Sequence, residues 1–412
     1  MSLSLDPIRT LFLADAVFED RPGDSRAAAQ KLALGLTQRG HEVTFLVARQ
    51  SPGSPEDEQR GPLRIIRYGG AGMGPEFIRR GQEACARLWA QTPFDLVHTH
   101  FAYSSVGPLR AVPKSVPRVR TFHGSWDEEG WLEEKQTDSL LGMAKAAIKR
   151  RVRYGIEAQS LSESAKVLTL SDCFSQIAQD RYGVKSDKIQ VIPGGTDIER
   201  FCLPGDKGSV RDRLELPRDR RILLTVSRLA PRMGLDNLIK AMTAVIKRHR
   251  DVLLLIGGKG PERDRLNDII KSRGLESHVR LIGLIPDEDL AAYYQASDLF
   301  VLPTIARDGI SLATTEALAC GVPVIGTPTG AIPEILSRLA PQLVAGGTDA
   351  ASLAAAIDGF LEGNWTKNLT PENLREFIED RYTWTRHVED VEAVYRDVLK
   401  LPQMASKPIR AT

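Results

Sequence analysis

The chain has few cysteines and no long hydrophobic run. Its four cysteines, Cys85, Cys173, Cys202 and Cys320, are widely spaced. They form no metal-ligand pair and no disulfide framework, which is typical of a protein in a reducing cytoplasm. No stretch approaches about 18 consecutive apolar residues, so we expect no transmembrane helix. Residues 1–7 lack a charged segment followed by an apolar run, so we also expect no signal peptide.

The chain also lacks an excess of charge of either sign. It has 55 basic and 53 acidic residues, which gives a net charge of +2. This balance does not support a nucleic-acid-binding protein, because that class is commonly strongly basic. A hydrophobic fraction of 42% and a charged fraction of 26% are typical of a globular protein. The length of 412 residues predicts two domains rather than one core.

The first half of the chain alternates between strand and helix patterns. A helix is predicted over 26–39, and apolar runs predict strands at 8–14, 43–47, 95–100, 118–123, 167–170 and 189–193. Helical stretches separate most of these strands, so we predict a parallel sheet with helices on both faces.

Three residues of the first half are candidates for a site. His100 and His123 each end a predicted strand, at the edge where open α/β sheets bind ligands. For His100, a satisfied or solvated imidazole is an equally good interpretation. For His123, which Gly124 follows, we favour a role in a site. Gly23 lies in a polar turn after the first strand, where it either only closes the loop or approaches a ligand.

The second half repeats the α/β pattern after a polar segment at 204–209, which we predict to be a linker. Strands are predicted at 221–226, 252–256, 279–283, 299–303 and 322–325. Arg228, Arg232 and Lys259 follow two of these strands, so we expect them on one edge of the sheet. Three cations on one edge favour an anion site, and cations with free backbone N–H groups suit a pyrophosphate.

A βαβ unit at 299–325 carries two acidic residues. Asp308 is on the predicted loop and Glu316 is on the predicted helix, with seven residues between them. Both carboxylates are expected at the ligand-binding edge of the sheet. By themselves they are candidates for a general acid and a general base.

Two further segments have amphipathic patterns. Within 140–153 the basic residues are Lys145, Lys149, Arg150, Arg151 and Arg153, and apolar residues recur at helical spacing. Such a helix either lies on an anionic membrane surface or packs on the protein with a solvated basic face. The tail, 381–401, has apolar residues at helical spacing and is predicted to pack back on the first domain.

In their joint order, these patterns resemble the retaining nucleotide-sugar glycosyltransferases of family 4. The resemblance rests on 32–43, 122–124, 191–197, 226–229, 257–261, 293–303 and the two acidic residues with seven residues between them. It implies the GT-B fold, in which two Rossmann-like doubly wound parallel-sheet domains face each other across a cleft. The C-terminal helix, 385–401, would cross back to an acceptor-binding domain, 1–203, and 204–384 would form the nucleotide-sugar donor-binding domain.

The resemblance also implies a function and roles for particular residues. The chain would move a hexose from a UDP- or GDP-sugar to a hydroxyl of a sugar, a lipid-linked or a small-molecule acceptor, with retention and without a metal or other cofactor. Arg228 would hold the diphosphate, with Arg232 and Lys259 beside it, and Glu316 would bind the ribose. His123 and Asp308 would contact the donor sugar at the reacting face, and Gly23 would approach the donor. Backbone N–H groups of Gly309, Ile310, Ser311 and Leu312 would reach the sugar and phosphates.

Three residues depart from the family pattern. Asp308 occupies the position of a glutamate, Met233 that of a lysine and Asp24 that of a glycine. Asp308 and Met233 support one alternative, a non-catalytic nucleotide-sugar-binding protein. A second alternative, a nucleotide-sugar epimerase of the same fold, fits the architecture but less of the order of the motifs. A phosphorylase of the same fold would need a pyridoxal-phosphate lysine, and no lysine stands out. We expect no nucleic-acid partner and a cytoplasmic location, either free or peripheral at the inner face of the membrane.

Overall fold

The chain forms two structural units. The structure, a computed structural model, describes residues 6–18, 20, 24–70, 72–134, 139–305, 312–363 and 369–403. Of these, residues up to 195 and from 384 onward form the first unit, and 196–383 form the second. The segment 204–209, predicted to be a linker, lies inside the second unit. There the carboxylate of Asp206 accepts hydrogen bonds from the N–H groups of Gly208 and Ser209 and caps a helix.

The first unit is built on an eight-stranded sheet in the order β3-β4-β2-β1-β5-β6-β7-β8. Its strands are β1 Arg9–Leu13, β2 Glu42–Ala48, β3 Asp57–Arg60, β4 Leu63–Tyr68, β5 Leu96–Thr99, β6 Arg118–Phe122, β7 Lys166–Thr169 and β8 Ile189–Val191. The helices of this unit that precede residue 196 are α1 Asp24–Gln38, α2 Pro75–Gln91, α3 Ala102–Ser105, α4 Trp126–Glu134, α5 Leu140–Ser162 and α6 Asp172–Tyr182. Short 3-10 turns occupy Pro108–Arg110 and Ser186–Lys188.

The second unit is built on a five-stranded parallel sheet in the order β11-β10-β9-β12-β13. Its strands are β9 Arg221–Val226, β10 Val252–Gly257, β11 Val279–Gly283, β12 Leu299–Leu302 and β13 Val324–Gly326. Its helices are α7 Lys207–Arg213, α8 Leu235–Arg248, α9 Arg263–Ser272, α10 Leu290–Ala296, α11 Leu312–Ala319, α12 Ile332–Leu339, α13 Ala350–Leu361 and α14 Pro371–Arg381. Three 3-10 turns lie at Pro231–Met233, Asp287–Asp289 and Pro341–Leu343.

The last helix, α15 Trp384–Leu399, returns to the first unit. Its buried side chains Val388, Val391 and Tyr395 join the hydrophobic cluster beneath α1. The two helices come so close that a Cβ on Gly35 would lie 2.4 Å from Cγ2 of Val388. Glycine is therefore required at this position of α1 although it weakens a helix.

One edge of the first sheet departs from the predicted pattern. The sequence analysis predicted no strands between β2 and β5, yet β3 and β4 form there, and β3 is antiparallel to β4. Strand β3, with the sequence DEQR, has no apolar residue and no buried position. Edge strands can be polar because only one side of their backbone is paired, so hydrophobic alternation does not reveal them.

The predicted fold class is confirmed. The first unit has a mainly parallel sheet and the second a parallel sheet, both with helices in the crossovers, and the final helix belongs to the first unit. The second sheet is buried throughout its central strands, as doubly wound parallel sheets are. Among the described helices, none has the length and apolar character needed to cross a bilayer.

Candidate functional site

The second sheet has a topological switch point between β9 and β12. From β9 the chain adds β10 and β11 on one side, then returns to place β12 and β13 on the other. In an open α/β sheet of this strand order, the chain after β9 and the chain after β12 lead to helices on opposite faces, so a switch point marks a candidate crevice at the carboxyl edge. Ligands of open α/β sheets bind in such a crevice.

Backbone hydrogen bonds connect the three loops around this switch point. The N–H of Leu229, after β9, donates to the carbonyl oxygen of Lys259, after β10, at 2.9 Å. The N–H of Ile305, after β12, donates to the carbonyl oxygen of Arg232 at 2.9 Å, and the hydroxyl of Thr304 donates to the same oxygen at 3.1 Å. These hydrogen bonds join the described parts of the three loops without using the cationic side chains.

Gly258 makes the contact between two of these loops possible. Its φ is +138°, and a Cβ at this position would lie 1.8 Å from the carbonyl oxygen of Ser227. Any side chain would therefore separate the loop after β10 from the loop after β9. The glycines of the 257–260 segment are required for packing as well as for any approach to a ligand.

The predicted cations lie on these loops with exposed side chains. Arg228, Arg232 and Lys259 are all exposed. Among the residues that the structure describes, neither Arg228 nor Lys259 has a side-chain hydrogen bond or ion pair. Met233, at the position where the resemblance implies a lysine, is only 8% exposed and belongs to the core of this unit. The neighbouring Arg232 is at the edge in its place.

Glu316 is on α11, the helix that follows β12. Its Oε2 accepts a hydrogen bond from the hydroxyl of Tyr294 at 3.1 Å. Tyr294 is fully buried, and burial together with the Glu316 carboxylate raises its pKa well above the usual value. The phenol is therefore a permanent donor that orients a half-buried carboxylate.

Several predicted site residues lie outside the described residues. These are Gly23, Asp308, Gly309, Ile310 and Ser311. Leu312 is described and is the first residue of α11. In the described ranges, no group of three or more His, Cys, Asp or Glu side chains is placed to hold a metal ion.

The first unit contains a separate cavity of about 450 Å³ at the carboxyl edge of its own sheet. His123, after β6, lines it, as do Trp126 and Glu129 of α4. Ser25 and Arg26 of α1 also line it.

Three histidines form a row beside this cavity. The rings of His98 and His100 stack with centroids 4.3 Å apart, and Nδ1 of His100 lies 3.4 Å from Nε2 of His123. At the far end, Nδ1 of His98 contacts the hydroxyl of Tyr395 at 2.5 Å. Burial, reinforced by the nearby Arg120 and His387, lowers the pKa of His123 to about 3. Burial likewise holds the pKa of His100 well below the ordinary value, so both rings are neutral at pH 7.

A buried ion pair beside the cavity was not predicted from the sequence. A terminal nitrogen of the Arg120 guanidinium donates to Oε1 of Glu157 at 2.7 Å, and the two side chains are 3% and 2% exposed. Both residues line the cavity. An arginine in the middle of a predicted core strand was the available signal, because such positions are rarely charged unless the charge is paired.

Comparison with protein families matches each unit to a domain of one kind of enzyme. Residues 27–200 match the model described as Glycosyltransferase Family 4. Residues 206–384 match the model described as Glycosyl transferases group 1. The first match ends five residues beyond the first unit's boundary at residue 195, and the second lies in the second unit except for its last residue.

Curated proteins and solved structures agree with these matches. A GDP-mannose-dependent alpha-(1-6)-phosphatidylinositol monomannoside mannosyltransferase from Mycolicibacterium smegmatis is 28% identical over 80% of this chain and 83% of its own. A D-inositol 3-phosphate glycosyltransferase from Acidothermus cellulolyticus is 26% identical over 90% and 78%. Sucrose-phosphate synthase from Thermosynechococcus elongatus superposes with a TM-score of 0.76 at 24% identity, covering 96% of this chain and 100% of that one. Anabaena HepE in complex with UDP superposes with a TM-score of 0.71 at 17% identity, covering 95% and 100%.

Proposed function

Since the chain is a glycosyltransferase of the family 4 type with a GT-B fold, we propose that it transfers a sugar from a nucleoside-diphosphate sugar to an acceptor hydroxyl. The proposal includes retention of the anomeric configuration and catalysis without a metal. It admits a UDP- or a GDP-sugar as donor. The mannosyltransferase relative has GDP-mannose in its name, and the HepE structure contains UDP, so each class has support among similar proteins.

One observation carries the donor assignment. The second unit places exposed cations on neighbouring loops, and an oriented carboxylate on α11, around a single switch point. A nucleoside diphosphate needs both features: its phosphates need positive charge, and the hydroxyls of its ribose need an acceptor. We assign Glu316 to the ribose, and Arg228, Arg232 and Lys259 to the diphosphate.

These cations also suit the chemistry of the departing group. Cleavage of the sugar–phosphate bond leaves negative charge on the diphosphate and positive charge on the sugar. Guanidinium groups on loops that the backbone holds in place can stabilise the diphosphate without moving during the reaction. We assign this role first to Arg228, because its loop follows the central strand β9.

The remaining proposed roles concern the sugar. In a retaining front-face substitution, the leaving phosphate assists removal of the proton from the acceptor hydroxyl. Asp308 and the N–H groups of residues 309–312 would hold the sugar at the N-terminal end of α11, which favours anionic and hydroxyl oxygens. His123 would contact the sugar as a neutral imidazole, since its lowered pKa leaves it uncharged at pH 7. It would therefore act as a hydrogen-bonding group and not as a cation.

The cavity of the first unit is the proposed acceptor site. Its volume of about 450 Å³ suits a sugar-sized group, and its walls combine aromatic and hydrogen-bonding side chains. The relatives named above act, by their names, on a phosphatidylinositol mannoside and on inositol 3-phosphate. We propose an acceptor with several hydroxyl groups, either a small polyol or sugar, or the headgroup of a lipid.

The test combines donor binding with turnover. We expect calorimetry to detect UDP or GDP binding, and mass spectrometry to show sugar transfer from the matching donor to an acceptor in a panel. Glu316→Gln keeps the contact with Tyr294 but removes the charge. It should weaken nucleotide binding about tenfold or more, since a hydrogen bond to a charged group contributes about 1.5–3 kcal/mol.

Glu288→Gln is the matched control, because Glu288 is an exposed glutamate of the same unit. It should bind the nucleotide like the unaltered chain. An unchanged dissociation constant for Glu316→Gln would refute the ribose assignment. Nucleotide binding with no transfer from any donor would instead favour a non-catalytic binding protein, and interconversion of the donor's sugar would favour an epimerase. The comparisons favour neither alternative.

A further inference from the structure

Helix α5 of the first unit buries small and charged side chains, whereas an ordinary amphipathic helix buries its large apolar ones. It has 23 residues. Ala146, Glu157 and Leu161 are on its buried face. Its arginines Arg150 and Arg153 turn toward α4, where their guanidinium groups lie 5.3 Å and 5.5 Å from the ring centres of Trp131 and Trp126, respectively. Small and charged side chains therefore form a large part of the face of α5 that packs on the protein.

The large apolar side chains of the helix point outward. Leu141, Ile148 and Val152 are 66%, 65% and 54% exposed. Their spacing of seven and four residues places them in one line along the helix. We call these three residues the α5 stripe. The alternative interpretation of this segment, a packed helix with a solvated basic face, requires the stripe to be buried, and it is not.

Basic residues lie on both sides of the α5 stripe. At about 100° per residue, Lys145 and Lys149 lie on one side of the line and Arg151 lies on the other. All three are exposed. No aspartate or glutamate occurs between residues 139 and 156, so this part of α5 itself carries charge of one sign. An apolar line between basic flanks is the pattern of helices that lie in the headgroup region of an anionic bilayer.

We propose that the α5 stripe and its basic flanks dock the protein peripherally on a membrane that contains anionic lipids. The apolar side chains would enter the boundary between headgroups and acyl chains, while the lysines and the arginine remain at the level of the lipid phosphates. A second copy of this chain is a poorer occupant, because a twofold contact would bring the two basic surfaces together. A nucleic acid would meet the charges but would leave the apolar line unmatched.

Docking through α5 has a consequence for the acceptor, which rests on the proposed function. The same helix carries Glu157 at the acceptor cavity, and α4, on which it packs, carries Trp126 and Glu129 of the cavity wall. A bilayer bound to the outer face of α5 would therefore lie one helix away from the acceptor cavity. This placement favours the headgroup of a membrane lipid over a free polyol as the acceptor.

The test is flotation of the full chain on vesicles. One set is phosphatidylcholine alone, and the other contains about a third phosphatidylglycerol. We expect recovery on the anionic vesicles, little on the neutral ones, and a decrease as salt is raised. The variant Lys145→Gln/Lys149→Gln/Arg151→Gln should bind anionic vesicles on the order of a hundredfold less tightly, since each basic residue at such a surface contributes about fivefold. Ile148→Ser/Val152→Ser should also lower recovery, and does so without changing the charge.

Two control variants lie in the second unit. Lys247→Gln/Lys271→Gln/Arg273→Gln removes the same charge from exposed positions, and Leu284→Ser removes an apolar side chain that is 59% exposed. Both should float like the unaltered chain. The α5 residues are exposed, so their variants should keep the thermal midpoint. Equal recovery on neutral and anionic vesicles, or α5 variants that float normally, would overturn the proposal. So would a dimer seen by light scattering that the stripe variants abolish. These results do not depend on the donor or on turnover.

Discussion

At the scale of single residues, the first unit keeps neutral imidazoles at the edge of its sheet. His98, His100 and His123 lie close together, and burial lowers the pKa of each. Protonation of one ring would place a cation beside the others and beside Arg120. The row is therefore suited to hydrogen bonding with hydroxyl groups and not to binding phosphate by charge. This separates the chemistry of the first unit from that of the second, where the exposed cations lie.

The lowered pKa of His123 predicts how stability depends on pH. Its pKa falls from 6.5 to about 3 in the folded chain, so between these values the unfolded chain binds more protons than the folded one. Stability should then rise with pH through this window and be complete above about 6.5. Replacement of His123 by asparagine should lower the slope of the unfolding free energy against pH by up to about 1.4 kcal/mol per pH unit between pH 4 and 6.

Urea denaturation of the first unit at several pH values measures this slope. His278→Asn, in the second unit, controls for the loss of an imidazole in general. An unchanged slope in His123→Asn would mean that the ring is readily protonated in the folded chain. The neutral role proposed for His123 at the sugar would then be wrong.

At the scale of elements, an ion-pair network anchors α15 to the first unit. Glu392 is only 2% exposed; its Oε2 accepts from Arg39 at 2.5 Å and its Oε1 accepts from Arg396 at 2.9 Å, and Nε2 of His41 lies 3.2 Å from the same Oε1. Burial alone would raise the pKa of Glu392. The hydrogen bonds from His41, Arg39 and Arg396 outweigh it and lower the pKa to about 2. The network holds a helix that is distant in sequence against α1 and β2.

Glu392→Gln should destabilise the first unit. A pKa lowered from 4.5 to about 2 corresponds to about 3 kcal/mol of stability at pH 7. This contribution should be present above pH 4.5 and should be lost as the pH falls toward 2. Thermal or urea denaturation measures it.

The matched control is Glu389→Gln on the same helix. Glu389 pairs with the same Arg39, at 3.4 Å, but is 38% exposed. An exposed pair contributes at most about 1 kcal/mol, so this variant should change stability much less. Equal effects of the two variants would show that burial does not strengthen the network.

At the scale of the whole molecule, the chain passes from the first unit to the second and back. Each unit has its own hydrophobic core, and the core of the first includes residues from both ends of the chain. The two units should therefore respond separately to a change that removes only one end.

A chain that ends at residue 383 tests this arrangement. It loses Val388, Val391 and Tyr395 from the first core, each of which contributes about 1.5–3 kcal/mol by burial. This loss is comparable with the stability of a whole domain, so the first unit should unfold. Hydrogen exchange should show lost protection in β1, β2 and β5, with β9, β10 and β12 still protected. Protection retained in β1 would contradict the essential role of α15.

Much of the second unit could be predicted from the sequence because its elements have strong local patterns. Continuous apolar runs indicated β9, β10 and β12, and the order of the turns placed Arg228, Lys259 and Glu316 after them. The segment at 204–209 was misinterpreted, because a helix cap and a linker use the same polar residues. Asp206 caps α7, and only its hydrogen bonds distinguish the two.

The first unit was less predictable where contacts are distant in sequence. Nothing local to Arg120 indicates that Glu157 will neutralise it, and nothing local to His98 indicates that Tyr395 will contact it. The outward direction of Leu141, Ile148 and Val152 was open for the same reason. Helical periodicity shows which residues share a face, but not whether the protein core or the solvent lies on that side.

The sequence by itself determined the alternation of strands and helices, the doubly wound fold class and the residues at the carboxyl ends of the strands. These depend on local periodicity, turns and glycine positions, which neighbouring residues encode. Only the tertiary structure decided that β3 is antiparallel, that Met233 is in the core, that His123 is neutral and that the apolar line of α5 faces outward. These depend on burial and on charges brought together from distant parts of the chain, and burial exists only once the chain has folded.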